Sequence, residues 1–101
     1  MSQLIPYGQN VFVIDIEYLV PFAEVEPHLG AHIAFIKDCL GAGFILIAGP
    51  KVPRSGGMII ATAPSREEAA ATMARDPFVI EGVANVSITE VVAGTRHLEL
   101  E

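Results

Sequence analysis

The residues of this chain best suited to chemistry are His32, Asp76 and Arg54. An imidazole titrates near neutral pH, so His32 is a candidate general acid/base. That role needs a carboxylate to fix the tautomer, and Asp76, Asp15 and Glu17 are available for it. Asp76 stands in Asp76-Pro77-Phe78, where a helix is expected to stop because the residue before proline avoids the α region. A carboxylate at a helix C-terminus faces the unfavourable end of the dipole, which favours a role beyond stopping the helix. Asp15 and Glu17 are either pocket-lining groups or solvated residues near a strand end. Arg54, in Val52-Pro-Arg-Ser-Gly-Gly57, is suited to a carboxylate or phenolate; the plainer reading is a solvated loop arginine. The plainer reading of His32 is a half-exposed residue on a helix flank.

Other arrangements are incomplete. His28 and His32 have the i,i+4 spacing of a metal clamp, but no third ligand is near, so no metal is expected. Cys39 follows His32 on the same helix by two turns, roughly 10 Å along the axis, too far for a Cys–His nucleophile pair. It is expected to pack. Gly56-Gly57 belongs to no GxxxxGK[ST] or GxGxxG pattern, and no GxSxG elbow is present. No cofactor is expected.

These side chains need elements to position them. Asn10 to Leu19 alternates, with Phe12, Ile14, Ile16 and Tyr18 on one face and Val11, Val13, Asp15 and Glu17 on the other. Pro21 to Pro27 is expected as a loop, with Pro27 opening a helix that runs to about Leu40. Leu29, Ile33, Ile36 and Leu40 form its apolar stripe, with His32 and Cys39 on a flank. Gly41 and Gly43 permit its C-cap. Phe44 to Ala48 is apolar throughout and is expected as a strand covered on both faces. Met58 to Ala63 is a third strand. Ser65-Arg-Glu-Glu68 is a capping box opening an Ala-rich helix to about Arg75. Ala84 to Val92 alternates again as a fourth strand, and a C-terminal tail follows. The order βαββαβ predicts an α+β, ferredoxin-like fold: a four-stranded antiparallel sheet with both helices on one face.

The totals restrict the partners. A chain of 101 residues argues for one domain, with its core at about 10–93 and a tail at 94–101. The hydrophobic fraction is 51% against 18% charged, more apolar than a small monomer needs, so a homodimer covering the open sheet face is expected. The net charge of −6 and six scattered Lys/Arg argue against nucleic acid and against anionic membranes. The longest apolar run is far too short to cross a bilayer. The opening Met1-Ser-Gln-Leu-Ile-Pro6 lacks the basic segment of a secretion signal, and a single cysteine suits a reducing compartment. A cytoplasmic protein is expected.

One ordered set of residues resembles a known family. His32, Gly43, Ala48-Gly49-Pro50, Gly56-Gly57 before an apolar strand, Ser65-x-x-Glu68-Ala69-Ala70, Asp76-Pro77-Phe78 and Gly82-Val83 together resemble the YciI-like (YCII-related) family over about residues 10–93. The resemblance implies a ferredoxin-like fold that dimerises as an α+β barrel. It implies that His32 and Asp76 correspond to the family's His–Asp pair in a pocket near the barrel. Many members carry Arg-Pro shortly before the histidine; Leu29-Gly30-Ala31 stands there instead, so a basic contact at that point is not supported.

The functional expectation is an enzyme acting on a small molecule. His32 is the acid/base and Asp76 its orienting carboxylate, with Arg54, Phe78 and Asp15 contacting substrate. The reaction is of elimination or isomerisation type. The alternative is a non-catalytic module that binds a small molecule or serves dimerisation.

Overall fold

The computed structural model describes residues 4–100. The expected domain, 1–101, and the end of the expected tail therefore reach beyond the described residues. The elements run β1 (Asn10–Tyr18), α1 (Phe22–Val25), a 3-10 turn (Glu26–His28), α2 (Leu29–Gly41), β2 (Ile45–Pro50), β3 (Gly56–Ala63), α3 (Arg66–Met73), α4 (Pro77–Ile80) and β4 (Ala84–Val91), with a last 3-10 turn at Leu98–Leu100. The four strands form one antiparallel sheet in the order β2-β3-β1-β4, with the helices on one face. This is the ferredoxin-like α+β fold that the element order predicts.

The alternation of β1 decides which face is covered. Phe12, Ile14 and Ile16 are fully buried beneath the helices, and Val11, Val13 and Asp15 are half-buried on the other side. Ile14 sits opposite Ile59 on one neighbour and Ile88 on the other, so the central apolar layer crosses three strands. Each such side chain contributes about 1.5–3 kcal/mol on leaving water. A one-residue slip would turn all of them to the open face, which pins the register.

Two local expectations change. The stretch expected as a loop before Pro27 is already helical: α1 begins at Phe22, and the Glu26 N–H bonds back to the Phe22 carbonyl. Pro27 then falls early in a 3-10 turn, where a missing N–H leaves nothing unpaired. β2 is an edge strand with an exposed Ile47, so within one chain it is covered on only one face. The stripe of α2 is divided: Leu29 and Ile36 pack against the core from partly buried positions. Cys39 is the buried residue of that helix, while Ile33 and Leu40 remain exposed.

The second half follows its caps. Ser65 accepts the Glu68 N–H at 3.2 Å, as the capping box requires. α3 ends at Met73. The C-terminal tail folds back on the N-terminal segment: Arg96 donates to the Ile5 carbonyl at 2.7 Å and lies over the Tyr7 ring.

Candidate functional site

Asp76 owes its position to backbone chemistry. Two residues after α3 closes, it stands extended as the N-cap of α4, and its Oδ1 accepts the Phe78 N–H at 3.0 Å. The expectation that it faces the wrong end of a helix dipole is therefore corrected: it caps the start of a four-residue helix that the Asp-Pro-Phe signal conceals. Pro77 supplies the preset φ of a first helical position.

The same Oδ1 lies 2.8 Å from His32 Nδ1 across the α2–α4 contact. A carboxylate oxygen can only accept, so the Nδ1–H donates and the hydrogen is held on that nitrogen. Nε2 is left with a free lone pair and no hydrogen bond among the described residues. The imidazole also stacks face to face on Phe78, with centroids 3.9 Å apart and planes within 4°. Asp76 is fully buried and the His32 side chain is 14% exposed. Asp76 Oδ2 is buried without a partner among the described residues. Half a carboxylate left without a hydrogen bond costs folding free energy. The packing around Asp76 holds it there regardless.

His32 borders a cleft of about 440 Å³ between α2 and the β2–β3 end of the sheet. That volume is typical of small-molecule sites. Across from α2, β2 and β3 line the cleft with the small residues Ala48, Gly49, Gly56 and Gly57. Gly56 cannot be otherwise, since a Cβ there would collide with the Ile16 carbonyl oxygen. Leu29, Ile33, Ile36 and Leu40 form the facing wall. Charged side chains at the cleft are Lys37 and Arg54, and no carboxylate lines it among the described residues.

Arg54 reaches the cleft from the β2–β3 loop. The loop is stitched by hydrogen bonds from Lys51 N to Gly56 O and from Ser55 N to Pro53 O. Its guanidinium carbon lies 4.6 Å from the Phe22 ring centroid, and Nε donates to the Tyr18 hydroxyl at 3.4 Å. It is thus not free in solvent, although it is exposed.

The structure brings His32, Asp76, Phe78 and Arg54 to one site and leaves Asp15 out. Asp15 lies on the open sheet face, where Lys51 Nζ donates to its Oδ1 at 2.6 Å. Position parity along β1 decides this: Ile16 and Tyr18 border the cleft, and Asp15 points the opposite way. Glu17 is exposed on that same open face. Phe78, expected as a substrate contact, is a buried platform under the imidazole as well as part of the cleft wall. Tyr18 and Lys37 were not singled out. For Tyr18 the available signal was its position at the end of the buried face of β1, beside the loop that carries Arg54. Cys39 is buried, and desolvation pushes its thiol pKa up; Arg75 opposes this, while Asp38 and Asp76 add to it. Among the described residues no group of three or more His, Cys, Asp or Glu is placed to hold a metal, and no helix is long and apolar enough to cross a membrane.

The family model of the YCII-related domain matches residues 6–92. The chain belongs to the YCII-related family. Its solved neighbours include the 5-chloro-2-hydroxyhydroquinone dehydrochlorinase of Burkholderia phenoliruptrix in complex with 2,5-dihydroxybenzoquinone. That structure superposes with a TM-score of 0.68 at 20% identity, over 78% of this YCII-related chain and 90% of the neighbour. The likeness establishes a shared fold. No curated protein matches the chain.

Proposed function

We propose that this YCII-related protein is a cofactor-independent enzyme that moves a proton on a small molecule. The observation that carries this reading is the 2.8 Å hydrogen bond between His32 Nδ1 and Asp76 Oδ1 at the edge of the cleft. Asp76 holds the proton on Nδ1, so Nε2 is the base. Nε2 takes a proton from an acidic carbon or hydroxyl of the ligand. The electron pair left behind moves to a conjugated oxygen, giving isomerisation once the proton returns elsewhere, or expels a leaving group, giving elimination. Asp76 stabilises the imidazolium formed in between.

Arg54 and Lys37, with no carboxylate lining the cleft, favour a ligand that is anionic or gains negative charge. The neighbour's complex with 2,5-dihydroxybenzoquinone makes hydroxyquinones and phenols the first candidates. The site is expected to work in a cytoplasmic homodimer. Val11, Val13, Ile60 and the exposed Ile47, Met58 and Val91 lie on the helix-free face of the sheet, and a second copy packed sheet to sheet would cover them. Sedimentation velocity of wild type and Ile60→Glu tests this: a dimer that becomes a monomer is expected, and a monomeric wild type would refute it.

The function is tested by incubating wild type and His32→Gln with phenols, hydroxyquinones, lactones and small acids in D2O and following each by NMR. Deuterium incorporation or product formation that disappears in His32→Gln is expected. A ligand that raises the melting temperature but is recovered unaltered and unexchanged would favour the alternative, a binding module.

A further inference from the structure

A base that removes a proton needs a partner for the oxygen that receives the electrons. Besides the cations Lys37 and Arg54, the cleft contains a hydroxyl donor that the His–Asp pair does not use. Tyr18 closes β1 on the cleft side, and its ring meets Phe78 edge-on at 6.0 Å and 87°. Phe78 stacks face to face on His32. One buried platform therefore fixes both the imidazole and the phenol. Tyr18 is held from a second side by the β2–β3 loop: its backbone N–H donates to the Ser55 carbonyl at 3.0 Å. Arg54, the residue before Ser55, donates Nε–H to the Tyr18 hydroxyl oxygen.

The direction of that hydrogen bond matters. A guanidinium has no acceptor, so the phenol oxygen must accept from Arg54. The phenol proton is then left to be donated elsewhere, and both Tyr18 and Arg54 line the cleft. The cation behind the oxygen strengthens the donor without competing for its proton. Phe22 holds the guanidinium in place from below.

We propose that the Tyr18 hydroxyl, backed by Arg54, is the oxyanion-binding group of this cleft, and that its ligands present a carbonyl or phenol oxygen on a flat apolar body. In the proposed reaction His32 Nε2 receives the proton, the electron pair moves onto the ligand oxygen, and Tyr18 donates a hydrogen bond to that oxygen without giving up its proton. The assignment of roles rests on His32 as the base; the binding of an oxyanion by Tyr18 does not.

The test uses 4-nitrophenolate, a coloured oxyanion, titrated at mildly alkaline pH into wild type, Tyr18→Phe and Arg54→Gln. Tyr18→Phe keeps the ring and its packing, and circular dichroism checks the fold. Wild type is expected to bind with a shifted visible band. Tyr18→Phe is expected to weaken binding about tenfold or more and to abolish the band shift. Arg54→Gln weakens binding as well. Equal affinity and an identical spectrum in Tyr18→Phe would overturn the proposal, as would no binding by wild type. Exchange that depends on His32 with no effect of Tyr18 on the phenolate leaves the base standing and removes Tyr18. Phenolate binding that depends on Tyr18, with no exchange on any ligand, does the reverse.

Discussion

Two aspartates of this chain each hold one basic side chain, on opposite faces of the same sheet, and the resemblance ends there. Asp76 is fully buried against a nearly buried His32, at 2.8 Å. Asp15 is 39% exposed and pairs with a 22% exposed Lys51, at 2.6 Å. The shorter contact is the weaker device. An exposed pair is screened by water and salt and must order two side chains, so it is worth about 0.2–1 kcal/mol. A buried carboxylate has no water to fall back on, and removing its partner leaves a stranded group. Distance alone ranks the two pairs wrongly, and burial ranks them correctly.

The largest expected effect is on the buried side. His32→Ala takes away the Nδ1–H and opens the cover over Asp76, whose Oδ2 already lacks a partner. Urea unfolding should show a loss of about 3 kcal/mol, together with loss of all turnover. A loss below about 1 kcal/mol would mean that Asp76 is as well solvated as Asp15.

Asp76→Asn separates chemistry from architecture. An amide oxygen still accepts from the Phe78 N–H, so the cap of α4 survives and stability should stay within about 1 kcal/mol. The amide cannot stabilise an imidazolium, so turnover should drop by about 10²-fold or more. Unchanged turnover would reduce Asp76 to a helix cap.

Cys39 extends the buried side of the comparison. Desolvation raises its thiol pKa, so burial favours the neutral form. Its contribution to stability is full below the unfolded thiol value, about 8.5, and is lost as pH rises through the folded value. A stability curve that falls above about pH 8.5 in wild type and is flatter in Cys39→Ala is expected. Reaction with thiol reagents at neutral pH should be slow until the chain unfolds.

The smallest effect belongs to the open face. In the monomeric Ile60→Glu background, Asp15→Asn should change stability by less than about 1 kcal/mol, and molar salt should erase the difference. A larger, salt-resistant loss in wild type is expected if a second copy on the sheet face buries the pair, and an equally small loss in both would count against that copy.

Much of the frame was legible because it depends on near neighbours in sequence. The period-two pattern of Phe12, Ile14 and Ile16 is a local signal, and so is the Ser65 cap. His32 and Asp76 were legible as a pair only through the ordered motifs that resemble the family. Nothing within either segment says that residues 44 positions apart meet at hydrogen-bond distance. α1 and α4 were missed because four-residue helices carry no periodicity, and both lie beside prolines that signal breaks. The spacing of the α2 stripe marks an apolar face but does not say that Ile33 and Leu40 border a cleft.

By itself, then, the sequence determined the order of the four strands and the two longer helices, the face of β1 that is buried, and the residue types able to carry a proton. The tertiary structure decided the rest. It made an apolar helix stripe one wall of a cleft whose other wall carries Ala48, Gly49, Gly56 and Gly57. It sent Asp15 to Lys51 and Asp76 to His32, and it set Tyr18 against Arg54. Side-chain chemistry is a property of residues, but desolvation and hydrogen-bond direction are properties of neighbours, and most of these neighbours are distant in the chain.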